Sequence, residues 1–358
     1  MTRKYSDEEL LKLDPELEAI FNQQGWPKIR MPTREIVPRA RQAFDAGFQK
    51  YNASPFAKQV LGTAFDKPTW DEADHDVSVR EARTITVRIY TPNHVPSDGL
   101  PVVQNHHGGG WFMGSLSTSA LFCRMICAKL GVIVIDVEFG LYPDVKFGVP
   151  VLDSYDAVKW TAENAARLGG NLQKGFVVSG ESGGGTYAAA VAHLARDDGL
   201  EPPITGCFLM CPVLSDDTLD ERGNMTTLFN RETEYRSQVQ NAAAPLMNRK
   251  MQDGIANFAD FDFRSPLTSS FHFPSHAHLP PCYIAVCGLD PWSDGGFLYQ
   301  KELEKVGGET KLDCYAGMPH CWWTSYPQIS RTKEWLQKSL QGMQWLLGKG
   351  DQMVAPKL

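Results

Sequence analysis

The sequence predicts an α/β architecture in which helices cover both faces of a mostly parallel sheet. Three observations lead there. The 358 residues suffice for one large α/β domain with substantial additions. Their composition, 42% hydrophobic and 22% charged, is that of a chain able to bury a core, which excludes a disordered or fibrous protein. From Val102 onward, short β-branched or apolar runs alternate with longer helix-like segments, the pattern of parallel strands joined by helical crossovers.

The elements follow in chain order. Leu10, Leu11, Leu13, Leu17, Ile20 and Phe21 form an apolar helical face interrupted by Pro15, and Gly25-Trp26-Pro27 ends it. A second helical stretch is expected over 36–51. The alternating run Thr84-Ile-Thr-Val-Arg-Ile-Tyr90 predicts a half-exposed strand. Further strands are expected at Val102–Asn105, Val132–Val137, Phe176–Ser179, Cys207–Cys211, Tyr283–Cys287 and Thr310–Tyr315. Helices are expected at Ser119–Leu130, Leu152–Arg167, Gly184–Arg196, Gly296–Val306 and Lys333–Leu347. One connection, residues 215–270, is too long and too polar for a plain loop and is expected to fold as an insertion. The expected division is therefore residues 1–70 as N-terminal cap helices, 71–214 and 271–358 as the α/β domain, and 215–270 as a cap insertion.

Charge and cysteine usage narrow the partners. A formal net charge of −7 without any long Lys/Arg run gives no broad nucleic-acid surface. No apolar stretch reaches membrane-spanning length, and the charged start from Met1 to Glu9 lacks the apolar core of a signal peptide, so a cytoplasmic protein is expected. The eight cysteines sit mostly in apolar stretches, where they pack as small hydrophobes. Cys123 and Cys127 have no matching Cys or His pair nearby, so no metal site is expected.

The strongest chemical signal is Gly180-Glu181-Ser182-Gly183-Gly184, placed after the apolar run 175–179 and opening an Ala-rich helix. A G-x-S-x-G between strand and helix holds a serine on a tight turn with its oxygen projecting from the sheet edge. Upstream, His107-Gly108-Gly109-Gly110-Trp111 follows a strand, and its successive glycines leave backbone N–H groups open to a developing oxyanion. The N–H of Gly183, one residue after the serine, is a further donor candidate.

A nucleophilic serine needs a base, and the base needs an orienting carboxylate. His320 fits as base, because it follows the last expected strand and precedes the last helix. His272, His276 and His278 come too early, His106 and His107 belong to the glycine loop, and His193 lies within a helix. Asp290, after the strand Tyr283–Cys287, is favoured as the acid over Asp294, which reads as an N-cap or first-turn carboxylate of the following helix.

Together these motifs resemble the hormone-sensitive-lipase-like carboxylesterases of the α/β-hydrolase superfamily. That group carries HGGG, GDSAGG, DPLRD-like and GMxHGF-like motifs. Here they stand as His107-Gly-Gly-Gly110, Gly180-Glu-Ser-Gly-Gly-Gly185, Asp290-Pro-Trp-Ser-Asp294 and Gly317-Met-Pro-His320-Cys-Trp. The resemblance spans roughly Ile85 to Leu347. It implies an eight-stranded sheet, a helical cap, no cofactor, Asp290 as the catalytic acid, and a monomer or homodimer acting on a small-molecule ester. It is similar in look to fungal members, some of which cleave short acyl esters of polyketide-type metabolites. Three departures stand out. Glu181 and Gly183 replace the elbow's Asp and Ala, and the family's YRLAPE segment is Phe139-Gly-Leu-Tyr-Pro-Asp144, without its arginine.

The mechanism expected from these residues is ester hydrolysis through an acyl-enzyme, with Ser182, His320 and Asp290 as the triad and Gly108, Gly109, Gly110 and Gly183 around the oxyanion. Trp111, Phe112, Trp292, Trp322 and Trp323 flank the motifs and are expected to wall an acyl pocket that favours short chains. A receptor-like binding protein, which in this family lacks the histidine, and a transacylase or dehydratase on the same site are the competing readings.

Overall fold

The computed structural model describes residues 5–348 except 28–30, 216, 221, 223, 257, 259–261 and 263. The start Met1–Lys4, read above for a targeting segment, lies outside the described residues. In chain order the first helices are α1 (Asp7–Leu11), α2 (Pro15–Gln24), α3 (Val37–Asn52), α4 (Pro55–Leu61) and α5 (Thr63–Asp66). Then come β1 (Trp70–Val79), β2 (Arg83–Pro92), β3 (Val102–His106), α6 (Ala120–Leu130), β4 (Ile133–Glu138), α7 (Val149–Asn164), β5 (Phe176–Glu181), α8 (Gly183–Asp197) and β6 (Gly206–Met210). A small hairpin, β7 (Asp217–Leu219) with β8 (Met225–Thr227), leads to α9 (Ser237–Gln240) and α10 (Arg249–Ala256). The chain closes with β9 (Cys282–Leu289), α11 (Ser293–Lys305), β10 (Thr310–Pro319), α12 (Trp322–Ser325) and α13 (Ser330–Leu346).

The main sheet has eight strands in the order β1-β2-β4-β3-β5-β6-β9-β10. β1 pairs antiparallel with β2 and β2 antiparallel with β4, while all remaining neighbours are parallel. The parallel strands β3, β4, β5, β6 and β9 are buried along almost their whole length because helices cover both faces. In β4, Ile133 and Ile135 belong to the core covered by α7, α8 and α11 on one face, whereas Val134 belongs to the core covered by α6 and α13 on the other. β1 carries no strand signal in the sequence. It is an edge strand in which only Trp70, Val77 and Val79 are buried, so its polar residues mask the alternation.

The parallel strands end at one edge of the sheet, and the segments that follow them carry the candidate site residues. β3 runs into the glycine loop, β5 into Ser182, β9 into Asp290 and β10 into His320. This placement of functional groups outside the carboxyl ends of parallel strands is general for such sheets. The N-terminal segment is tied back onto that edge. Asp14 donates its N–H to the Gly317 carbonyl at 3.1 Å, and Asn52 Nδ2 donates to the Ser117 carbonyl at 2.8 Å.

Candidate active site

Ser182 sits between β5 and α8 at φ 54° and ψ −119°, a backbone conformation that costs an L-residue on the order of 1–3 kcal/mol. The surrounding glycines allow the close crossing that enforces it. A Cβ on Gly180 would lie 2.1 Å from the Gly184 carbonyl oxygen, and one on Gly184 would lie 2.1 Å from that of His106. The Ser182 N–H donates to the Met210 carbonyl at 2.8 Å, which fixes the turn to the end of β6.

His320 Nε2 lies 2.8 Å from Ser182 Oγ, and His320 Nδ1 lies 2.6 Å from Asp290 Oδ2. Asp290 also accepts the Trp292 N–H at 2.9 Å on its other oxygen. All three side chains are buried, with exposures of 7%, 7% and 1% for Ser182, His320 and Asp290. Burial disfavours the imidazolium, yet the Asp290 carboxylate beside it outweighs that cost and holds His320 above its ordinary pKa of 6.5. Burial raises the pKa of Asp290 as well. Asp294 is turned elsewhere, and its Oδ2 accepts the Ser237 N–H at 2.8 Å. It lies in the first turn of α11, as a carboxylate favoured by the helix dipole.

The competing histidines are engaged away from this line. His106 Nδ1 lies 2.9 Å from the Ser179 carbonyl, and His107 stacks on Phe139 at 4.3 Å. His193, within α8, has its Nε2 3.0 Å from His276 Nδ1.

Gly108, Gly109 and Gly110 line a cavity of about 510 Å³ together with Ser182 and His320. Among the described residues, the N–H groups of Gly109, Gly110 and Gly183 donate to no protein acceptor. The alanine-to-glycine departure at Gly183 has a local reason. A Cβ there would lie 2.7 Å from Trp111 Nε1, which donates to the Gly183 carbonyl at 3.1 Å. The indole of Trp111 thus occupies the space that an alanine methyl would need.

The apolar part of the cavity wall comes largely from the two segments outside the sheet. Met31, Phe44 and Phe48 come from the N-terminal part, and Leu246, Met247, Met251 and Ile255 from the long connection. Of the aromatic residues expected at the wall, Phe112 lines it, whereas the four tryptophans do not. Trp322 is fully buried, its Nε1 donating to Thr332, so it belongs to the core. Trp292 packs edge-on against His320 at 5.5 Å, and Trp111 faces Gly183. Trp323 stacks on Trp335 at 4.3 Å and donates its Nε1 to Glu181 Oε2 at 3.0 Å.

Two side chains at the site, Glu181 and Arg41, had no role assigned from the sequence. Glu181 lines the cavity, and burial pushes its pKa up to about 7 against the Trp323 hydrogen bond. Arg41, from α3, donates to the Phe112 carbonyl at 2.8 Å and the Tyr142 carbonyl at 2.7 Å, and pairs with Asp144. An arginine distant in sequence therefore braces both the glycine loop and the segment that lacks the family's own arginine. As a metal-donor set, Cys211, His320 and Cys321 lie within 4.8 Å of one another, but both ring nitrogens of His320 are already engaged by Ser182 and Asp290. No described helix is long and apolar enough to cross a membrane.

A family model described as the alpha/beta hydrolase fold matches residues 103–324. An AB hydrolase superfamily protein of Schizosaccharomyces pombe is 31% identical over 347 residues, 96% of each chain. The versiconal hemiacetal acetate esterase of Dothistroma septosporum is 29% identical over 253 residues, 70% of this chain and 74% of that one. Among solved structures, vibralactone cyclase superposes with a TM-score of 0.81 at 26% identity, covering 99% of this chain and 98% of the other.

Proposed function

Because the chain belongs to the alpha/beta hydrolase fold family, we propose that it is a serine carboxylesterase acting on short- to medium-chain acyl esters. The observation that carries this reading is the continuous hydrogen-bonded line from Ser182 through His320 to Asp290, 2.8 and 2.6 Å per step, opening on an apolar cavity.

In the proposed mechanism, neutral His320 takes the Ser182 proton as the oxygen attacks the ester carbonyl. Asp290 stays ionised and stabilises the imidazolium, and the N–H groups of the Gly108–Gly110 loop and Gly183 receive the oxyanion. His320 then protonates the leaving alkoxide, and water releases the acyl group by the reverse sequence. A cavity of about 510 Å³ falls in the range of sites that enclose a small organic molecule. Likeness to an acetate esterase of a hemiacetal supports a short acyl group on a larger, metabolite-like alcohol.

Aryl and natural-product esters of graded acyl length test this, run against the protein and its Ser182→Ala variant. Turnover is expected to peak at short or medium chains and to fall on the order of a millionfold in the variant. A peak at long chains, or equal turnover by the variant, would overturn the reading. A second reading, transfer of the acyl group to a hydroxyl instead of water, is favoured by the near full-length likeness to a cyclase. Product analysis with and without an acceptor alcohol separates the two. A receptor-like role is disfavoured by the retention of His320 at bonding distance from Ser182.

A further inference from the structure

Directly behind the candidate base lie three thiols that ester hydrolysis does not use. Cys211 follows β6, Cys287 lies within β9, and Cys321 follows His320 in the chain. All three are free. The Sγ atoms of Cys211 and Cys287 are 3.0 Å apart. Those of Cys211 and Cys321 and a ring nitrogen of His320 lie within 4.8 Å of one another. Cys211 and Cys287 are buried, whereas Cys321 is partly exposed and lines the cavity. A small oxidant entering the cavity therefore meets Cys321 first.

Each thiol is fastened to a segment that holds the site. The carbonyl of Met210, next to Cys211, accepts the Ser182 N–H at 2.8 Å, and the Cys287 carbonyl accepts the Asp290 N–H at 3.2 Å. Cys321 is bonded to His320 itself.

We propose that Cys321 and Cys211 form a peroxide-sensitive modification site, Cys321 as the reactive thiol and Cys211 as its resolving partner, which switches off the triad. The switch rests on the esterase reading; the disulfide does not. In the first step the Cys321 sulfur attacks an oxygen of hydrogen peroxide, the O–O bond breaks, the thiol proton passes to the departing hydroxide, and Cys–SOH and water form. The Cys211 thiol then attacks that sulfur, the S–O bond breaks, and the oxygen leaves as a second water. Two thiols lose two electrons in total, and one peroxide is reduced to two waters. A disulfide requires the sulfurs to close to about 2.05 Å. Drawing Cys321 inward moves the adjacent His320 off Ser182, and a displacement of about 1 Å at such a site costs on the order of a hundredfold in rate.

Treatment of the intact protein with hydrogen peroxide tests this, followed by peptide mapping and by hydrolysis of an aryl acetate. Each variant is compared with its own untreated rate. The expected result is a Cys211–Cys321 disulfide, a fall in rate on the order of a hundredfold, and recovery with dithiothreitol. Cys287→Ser should still form this disulfide, Cys211→Ser should leave Cys321 as a sulfinic or sulfonic acid, and Cys321→Ser should form no disulfide and keep its rate. A wild-type Cys321 that ends as an acid would overturn the proposal. So would a disulfide that forms without Cys321, or a loss of rate in Cys321→Ser. If untreated protein hydrolyses no ester, the esterase reading fails while the mapping still decides the thiol chemistry.

Discussion

At the scale of single residues, His320 is held between two partners with opposite demands. Asp290 favours the imidazolium, whereas the proposed attack by Ser182 needs the neutral ring. With the imidazole pKa raised above 6.5, the neutral fraction is complete only above that raised value and is lost as pH falls through it. The kcat/KM for an activated ester, measured from acid to alkaline pH, is therefore expected to fall on the acid side with an inflection above 6.5. In Asp290→Asn the carboxylate that raises the pKa is gone. The rate should drop roughly 10⁴-fold, and the residual inflection should move to lower pH. A flat profile, or an inflection unmoved in the variant, would count against the assignment. The positions of Ser182, Asp290 and His320 were legible because local chain rules fix them: a glycine-flanked turn after β5, and loops after β9 and β10. Trp322 was misplaced at the cavity for the complementary reason. Adjacency to a site residue in sequence says nothing about which way a side chain turns, and Trp322 begins a short helix directed into the core.

At the scale of elements, the long-range ties are what the sequence hid. Arg41 is more than sixty residues from any partner it braces, and no local pattern marks it. Its fork geometry suits two carbonyls and a carboxylate at once, which a lysine ammonium does not reproduce. Arg41→Ala is expected to loosen the chain just past the glycine loop and lower kcat/KM about tenfold, less than outright loss of an oxyanion donor. Arg41→Lys should restore little of it. Full turnover by Arg41→Ala would show that the loop holds itself. The strands β3 to β6 were legible because burial on both faces demands continuous apolar runs. The edge strand β1 demands only three buried side chains and gave no such run.

At the scale of the whole molecule, the carboxyl edge of the sheet positions Ser182, Asp290 and His320, and the segments outside it supply most of the apolar wall. That division explains why the loops after β5, β9 and β10 were easier to read than the wall. Methionines scattered over Met31, Met247 and Met251 converge only through tertiary packing. The sheet also buries a carboxyl group that is only partly hydrogen-bonded. Asp136 of β4 is fully buried, and among the described residues its Oδ1 accepts from Asn105 while its Oδ2 has no partner. Burial pushes its pKa from 3.8 up to about 8. Between those values the folded chain holds a proton that the unfolded chain has lost, so this group's contribution to stability declines as pH rises through that window. Asp136→Asn should therefore raise the melting temperature, by more above pH 8 than near pH 5. A gain equal at both pH values would mean that the carboxyl is not protonated in the fold.

The central claim is that the Ser182 oxygen is made nucleophilic by His320. The rate of labelling by a fluorophosphonate, with the adduct located by mass spectrometry, measures this without presuming any substrate. Rapid, stoichiometric modification of Ser182 is expected, abolished in Ser182→Ala and slowed on the order of 10⁴-fold or more in a folded His320→Ala variant. Labelling at another residue, or at Ser182 with equal speed when His320 is gone, would contradict it.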